Sequence, residues 1–120
     1  MIKVLLSIKP VYYQAIIQKK KTVEFRRKFP LIQKDFKIVF YVSSPVKAIC
    51  AEAICAPVEK KEIPSLLKEL AYDQISDKRS LEDYFKDLKE GFLIRIKSVK
   101  EYKTKQTIDF HPPQNYRYLR

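Results

Sequence analysis

The sequence has one glycine, one histidine and two cysteines among 120 residues, and its apolar runs are short. One glycine against seven prolines argues against a flexible, low-complexity chain. No segment reaches the roughly 20 apolar residues that a bilayer-spanning helix needs, and the run at 2–8 is too short for a signal peptide. We therefore expect a cytoplasmic protein with no membrane partner, folded as a single domain over residues 1–120.

The few potential metal ligands do not form a recognisable site in the sequence. Cys50 and Cys55 are flanked by isoleucine and alanine, which is typical of small core residues, and His111 is the sole histidine. Because a structural metal site needs about four such ligands, we expect neither a metal ion nor a cofactor.

Positive charge is concentrated towards the two ends of the chain. The formal net charge is +11, with ten Lys/Arg against two acids in residues 1–40 and seven against two in 91–120. Residues 41–90 hold eight against ten. If the ends meet, they form one basic face, which attracts phosphate backbones. The alternative is a lysine-rich surface that is merely solvated.

Hydrophobic periodicity predicts a mixture of strands and helices. Strands are predicted at 2–8, 22–27, 36–42, 46–55 and 92–99, and helices at 11–20, 63–71 and 80–90. Ser80 is predicted to cap the third helix and Gly91 to end it. Locally paired strands with inserted helices indicate a small curled sheet or barrel of the α+β class.

The densest candidate for a site is residues 19–27, which combine a lysine cluster with one acid and two arginines. On a strand, Glu24 and Arg26 share a face and Arg27 points to the other. Arginine grips phosphate with two parallel hydrogen bonds, so this element is suited to a phosphate-bearing ligand. The alternative is a solvated charge run with a salt bridge. We expect the C-terminal tail, residues 113–119, to lie close to residues 21–27 and to the strand at 2–8.

The C-terminal tail (residues 113–119), one turn and one acid within a predicted strand supply further candidates. Tyr116 and Arg117 lie beside Gln114, and such aromatic and amide side chains can stack on bases or read their edges; packing as a last strand is the alternative. Ser43 and Ser44 follow an apolar strand, where they could bind a phosphate or simply cap a turn. Glu52 could lie beside Lys21 or form a structural salt bridge.

Taken together, several short segments resemble the ASCH domain family of the PUA-like group. They are Ser7-Ile8-Lys9-Pro10, Lys21-x-x-Glu24-Phe25-Arg26-Arg27, Tyr41-x-Ser43-Ser44-Pro45-Val46, Ala51-Glu52, Tyr84-Phe85 and Pro112-Pro113-Gln114-Asn115-Tyr116-Arg117-Tyr118-Leu119. They keep the family's order and cover nearly the whole chain, and they are most similar to its stand-alone and regulator-associated prokaryotic members. Two departures are Lys19 and Ala51, where the family usually or often has glycine.

The resemblance implies a small PUA-like β-barrel of mixed, mostly antiparallel strands with inserted helices. It also implies binding of RNA or a modified nucleotide, with a possible regulatory role in transcription or translation. The residues that we predict to contact the nucleic acid are Lys9, Lys21, Glu24, Arg26, Arg27, Ser43, Ser44, Glu52, Gln114, Tyr116 and Arg117.

Two other functions stay open. Some proteins that resemble this family are hydrolases: one group removes acyl groups from cytidine with a Lys, a Thr and a Glu, and a ribonuclease activity is also attributed to ASCH-type domains. Lys21 matches that Lys, Glu24 stands where the Thr would be, and Asp77 is a weak counterpart of the Glu. An enzyme would use Lys21 and Glu24 as catalytic groups. The second alternative is a protein-interaction module of a regulatory complex.

Overall fold

A computed structural model describes residues 1–119 of the chain. Within them, seven strands form one mixed sheet that curls into a half-barrel, with three helices beside it. The elements are β1 (Lys3–Ile8), α1 (Pro10–Ile17), β2 (Val23–Arg26), β3 (Phe36–Val42), β4 (Ala48–Cys55), β5 (Glu59–Glu62), α2 (Ile63–Lys68), a 3₁₀ turn (Glu69–Tyr72), α3 (Lys78–Tyr84), β6 (Glu90–Gln106) and β7 (Tyr116–Leu119). The predicted α+β class, a small curled sheet or barrel with inserted helices, is confirmed, and the sheet forms a half-barrel.

The sheet brings the two ends of the chain together. Its strand order is β2-β6-β4-β3-β1-β7, with β5 pairing β6. The pair β1–β3 is parallel, and the other pairs are antiparallel. Because β7 pairs directly with β1, the tail lies beside the N-terminal strand, as the charge distribution indicated.

Three apolar clusters hold these elements. The largest fills the inner face of the half-barrel under α1, around Phe36 and Phe40. A second joins β2 and β6 to α2 and α3, around Leu66 and Phe85. A third lies on the outer face, where residues 108–110 cover β1 and β3. Each strand alternates its side chains between faces, so the sheet can support clusters on both sides.

The third helix differs from its prediction at both ends. It runs from Lys78 to Tyr84, and its N-cap is Asp77, whose Oδ1 accepts a hydrogen bond from the Ser80 N–H at 2.8 Å. Gly91 is not a helix cap but a buried residue of β6. A Cβ there would overlap the Phe85 ring and lie 2.9 Å from Leu66 Cδ1, so close packing explains this glycine.

The first helix ends earlier than its lysine-rich pattern predicted. It stops at Ile17, and the Lys20 and Lys21 N–H groups donate back to the Ala15 carbonyl. Lys19 has a φ of 61°, in the left-handed region that favours glycine. The position where the ASCH family usually has glycine is therefore one where the backbone reverses to deliver Lys21.

No helix among residues 1–119 is long and apolar enough to cross a membrane.

Candidate functional site

A cavity of about 500 Å³ lies between the half-barrel and the helices. Four elements converge on it: the β1–α1 junction, β2, the end of β3 and α3. The segment 112–114 closes one wall. The lining residues are Ser7, Ile8, Lys9, Tyr12, Lys21, Glu24, Phe25, Arg26, Tyr41, Ser43, Ser76, Ser80, Leu81, Tyr84, Pro112, Pro113 and Gln114.

At the base of this cavity Lys21 is buried between two carboxylates. Its side chain is 3% exposed, and its Nζ lies 2.6 Å from Asp73 Oδ2 and 3.4 Å from Glu24 Oε1. A backbone bridge joins Lys21 to Asp73. The other oxygen of Asp73 accepts hydrogen bonds from the Ile75 and Ser76 N–H groups. The lysine is therefore held in one place rather than solvated.

Arg26 extends this group of charges towards the tail. Its Nε and Nη2 donate to Glu24 Oε2 at 2.9 and 2.6 Å, Nη1 donates to Asn115 Oδ1 at 2.8 Å, and Nη2 also donates to the Ser7 carbonyl at 3.1 Å. Lys21, Glu24, Arg26 and Asp73 are called the cavity cluster below.

The cavity cluster pairs two cations with two carboxylates, so it has no formal net charge. A buried cation that already has acceptors in contact makes a poor site for an additional phosphate, because the phosphate must compete with carboxylates. The cluster instead presents fixed hydrogen-bonding groups beside a cavity. Such a surface suits the uncharged polar edge of a ligand.

Three tyrosines add aromatic surface to the cavity. The Tyr12 ring centroid lies 5.6 Å from Lys21 Nζ, and Tyr41 and Tyr84 lie on other walls. The Tyr84 hydroxyl accepts a hydrogen bond from the Arg27 N–H, and burial raises the pKa of that hydroxyl. Tyr13, the neighbour of Tyr12 on α1, is buried in the core and does not line the cavity.

The structure brings some of the predicted contact residues together at the cavity and leaves others outside its lining. Lys9, Lys21, Glu24, Arg26, Ser43 and Gln114 line it. Arg27 is exposed and contacts Tyr84 from outside the lining, and Ser44 lies in the adjacent turn. Tyr116 packs against Phe29, with ring centroids 5.1 Å apart, which favours the packing alternative for this tyrosine.

Glu52 and Arg117 lie on the outer face of the sheet, away from Lys21. Glu52 pairs with Lys37 at 2.8 Å and accepts a hydrogen bond from Tyr102, and the Lys37 contact lowers the pKa of Glu52. Arg117 packs over the Phe110 ring at 4.4 Å. Of the two alternatives for Glu52, the structure shows the salt bridge, since β4 points this side chain outward.

Asp73 is the functional candidate that the sequence did not reveal. The weak counterpart that it offered, Asp77, is a helix cap instead. Asp73 lies 52 residues from Lys21 in a polar stretch without a motif. The available signal was an acid in the segment between two helices, and that position alone does not identify a partner.

The fold and the cavity define a class of protein, a small α+β half-barrel with a polar cavity between the barrel and its helices. The chain is 29% identical over 122 residues to an ASCH domain-containing ribonuclease from Zymomonas mobilis, covering 96% of this chain and 82% of the relative. No family model matches the sequence.

Solved structures agree with this likeness. A crystal structure of ASCH from Zymomonas mobilis has a TM-score of 0.87 at 24% identity, covering 98% of this chain and 87% of the other. A mutant of the same protein gives 0.87 at 25% identity, covering 98% and 88%. These findings confirm the resemblance to the ASCH domain family, and this chain has the ASCH fold.

Proposed function

We propose that this domain binds RNA by taking one nucleotide into the cavity, with the chain of phosphates outside. The observation that carries the proposal is a tyrosine-lined cavity of about 500 Å³ with a buried, charge-compensated cluster at its base. Aromatic faces stack on unpaired bases, and fixed polar groups read base edges. The relative named as a ribonuclease supports an RNA ligand.

The phosphates would be bound by exposed cations near the cavity mouth rather than by Lys21. Lys9 lines the cavity and is exposed, and Arg27, immediately after β2, is exposed and contacts the lining residue Tyr84. The overall charge of +11 remains to attract a polyanion even though the cavity cluster is compensated. RNA affinity should therefore fall steeply as salt rises, because bound cations release counterions.

Two alanine variants test the two halves of this proposal. Tyr12→Ala should weaken binding of a short single-stranded RNA by about 1–3 kcal/mol through lost stacking, without changing the salt dependence. Lys9→Ala should reduce the salt slope by about one. Tyr72→Ala is the matched control, since Tyr72 is exposed and lies outside the cavity lining. Equal effects of Tyr12→Ala and Tyr72→Ala would contradict the use of the cavity.

A hydrolase is the second candidate, and one contact favours it. A lysine whose Nζ lies 2.6 Å from a buried carboxylate, beside a cavity, could stabilise negative charge or transfer a proton during cleavage. The test is to incubate the wild type and Lys21→Ala with RNA and with acylated cytidine. Robust turnover that disappears in the variant would rank hydrolysis above binding.

A further inference from the structure

We propose that Arg26 is a positioning residue that, together with Asn115, holds the cavity wall formed by residues 112–114 in place, and that it does not bind phosphate. This inference rests on the proposed function, because its effect on a ligand requires that the ligand enter the cavity. It changes the role expected of Arg26 from its sequence context, where an exposed arginine would grip a phosphate.

The guanidinium of Arg26 is already occupied by the protein. Its Nε, Nη1 and Nη2 atoms donate four hydrogen bonds to Glu24, Asn115 and the Ser7 carbonyl. Arginine has five N–H donors, so few are left for another acceptor. The side chain is 12% exposed. A phosphate could gain a two-point contact here only by displacing Glu24 or Asn115.

Asn115 joins the wall to other parts of the chain through both its side chain and its backbone. While its Oδ1 accepts from Arg26, its Nδ2 donates to the Lys28 carbonyl at 2.9 Å. Its own carbonyl accepts from the Ser7 N–H at 3.1 Å, and the Ser7 hydroxyl donates to the Pro113 carbonyl. The segment is thus tied to β1 and to the end of β2 immediately after the three wall residues.

The same arginine connects the wall to the buried lysine. Glu24 contacts Arg26 through Oε2 and Lys21 through Oε1. Pro112, Pro113 and Gln114 line the same cavity as this cluster. The clasp made by Arg26 and Asn115 therefore fixes both the orientation of Glu24 and the distance between two cavity walls, which together set the width available to a ligand.

A double-mutant cycle tests whether the two residues act as a unit. Arg26→Ala and Asn115→Ala should each weaken binding of a short single-stranded RNA by about tenfold or more, the effect of a lost charge-assisted hydrogen bond. The double variant should be little worse than either single variant, since coupled residues are non-additive. The proposal is refuted if the loss of RNA affinity in the double variant equals the product of the two single losses. It is also refuted if Asn115→Ala binds RNA as well as the wild type.

The salt dependence separates positioning from phosphate binding. Arg26→Lys keeps the positive charge but loses the planar guanidinium and its set of hydrogen bonds. If Arg26 acts by positioning the wall, this variant should bind RNA as weakly as Arg26→Ala does. The salt slope should be the same in Arg26→Ala as in the wild type, whereas loss of a phosphate contact would reduce it by about one. Rescue of binding by Arg26→Lys would identify Arg26 as a phosphate contact instead. Lys34→Ala, an exposed lysine outside the cavity lining, controls for loss of overall charge.

Hydrogen exchange in the free protein provides a readout that needs no RNA. The Ser7 N–H donates to the Asn115 carbonyl, so Arg26→Ala and Asn115→Ala should both increase its exchange and that of the amides of residues 114–116, while leaving β3 protected. Pro112 and Pro113 have no N–H and give no signal. Unchanged exchange at Ser7 and in 114–116 would overturn the proposal. If the wild type binds no RNA but exchange behaves as expected, the proposed function fails while the clasp itself stands.

Discussion

Two groups of charges in this domain have the same composition and opposite environments. The cavity cluster and a surface cluster of Glu59, Lys61, Glu69 and Arg95 each pair two cations with two carboxylates. In the surface cluster Arg95 is 36% exposed and donates to Glu69 at 2.6 Å and to Glu59 at 2.7 Å. In the cavity cluster the Lys21 and Asp73 side chains are 3% and 0% exposed.

The difference in burial between the two clusters changes what each contributes to stability. Buried ion pairs lose much of their attraction to the cost of removing both charges from water, and apolar residues of similar size are often as stabilising. Exposed pairs cost little to form and contribute little. Because buried ion pairs often add little net stability, the position of the cavity cluster beside a cavity is consistent with the ligand-binding role proposed above.

The largest change in stability is expected when one carboxylate of the cavity cluster is removed. Asp73→Ala leaves the buried Lys21 ammonium without its nearest carboxylate and should lower the free energy of unfolding by about 3–5 kcal/mol. Denaturation in urea measures this. The paired change Lys21→Met with Asp73→Asn keeps an acceptor for the Ile75 and Ser76 N–H groups, so it should recover most of that loss of stability and should still abolish RNA binding. A double variant as unstable as Asp73→Ala would show that the cluster does stabilise the fold.

Removing a carboxylate from the surface cluster should lower stability far less, and the loss should depend on pH. Glu69→Gln should cost about 1 kcal/mol or less at neutral pH, since the contact is partly exposed to solvent. Hydrogen bonds from Arg95 lower the pKa of Glu69 in the folded protein. Its contribution is therefore complete above the unfolded value, about 4.3, and is lost as pH falls through the lower folded value.

Urea denaturation of both proteins as a function of pH measures that contribution. The stability difference between the wild type and Glu69→Gln should shrink as the solution is made more acidic. A difference that grows on acidification would contradict the assignment of the low pKa to contact with Arg95.

The smallest effect concerns the backbone that delivers Lys21 to its partners. Lys19→Gly removes the strain of a left-handed residue and should raise the free energy of unfolding by about 0.5–1 kcal/mol. The neighbouring Lys20→Gly, which removes an equal charge, is the control and should destabilise slightly. Thermal unfolding compares them, and a loss of stability in Lys19→Gly would rule out this explanation of the family's glycine.

The parts of this structure that depend on residues close together in the sequence could be predicted. The strand 36–42 was predicted with its observed bounds, because a long run of apolar and β-branched residues has few alternatives. The Glu24–Arg26 pair also followed from alternation along one strand. The short strand β5 was not predicted, since its sequence Glu-Lys-Lys-Glu has no apolar residue and depends on pairing with β6.

Contacts across the chain account for what was missed at the site. Asp73 meets Lys21, and Asn115 meets Arg26 across 89 residues, and neither pairing has a local pattern. The predicted helix end at Gly91 is wrong, because this glycine is required by close packing against Phe85 and Leu66 and not by a helix cap. Steric requirements of this kind become visible only when distant segments are packed together.

The antiparallel pairing of β1 with β7 has a mechanical consequence. Lys3 is opposite Leu119, so forces applied at the two strands' outer ends would load their hydrogen bonds one after another, as a zipper opens, rather than all together. The edge strand β7 would peel away before the interior of the sheet came under load. Because residues 112–114 of the cavity wall immediately precede β7, the same tension would pull that wall away from β1 before it loaded the interior strands.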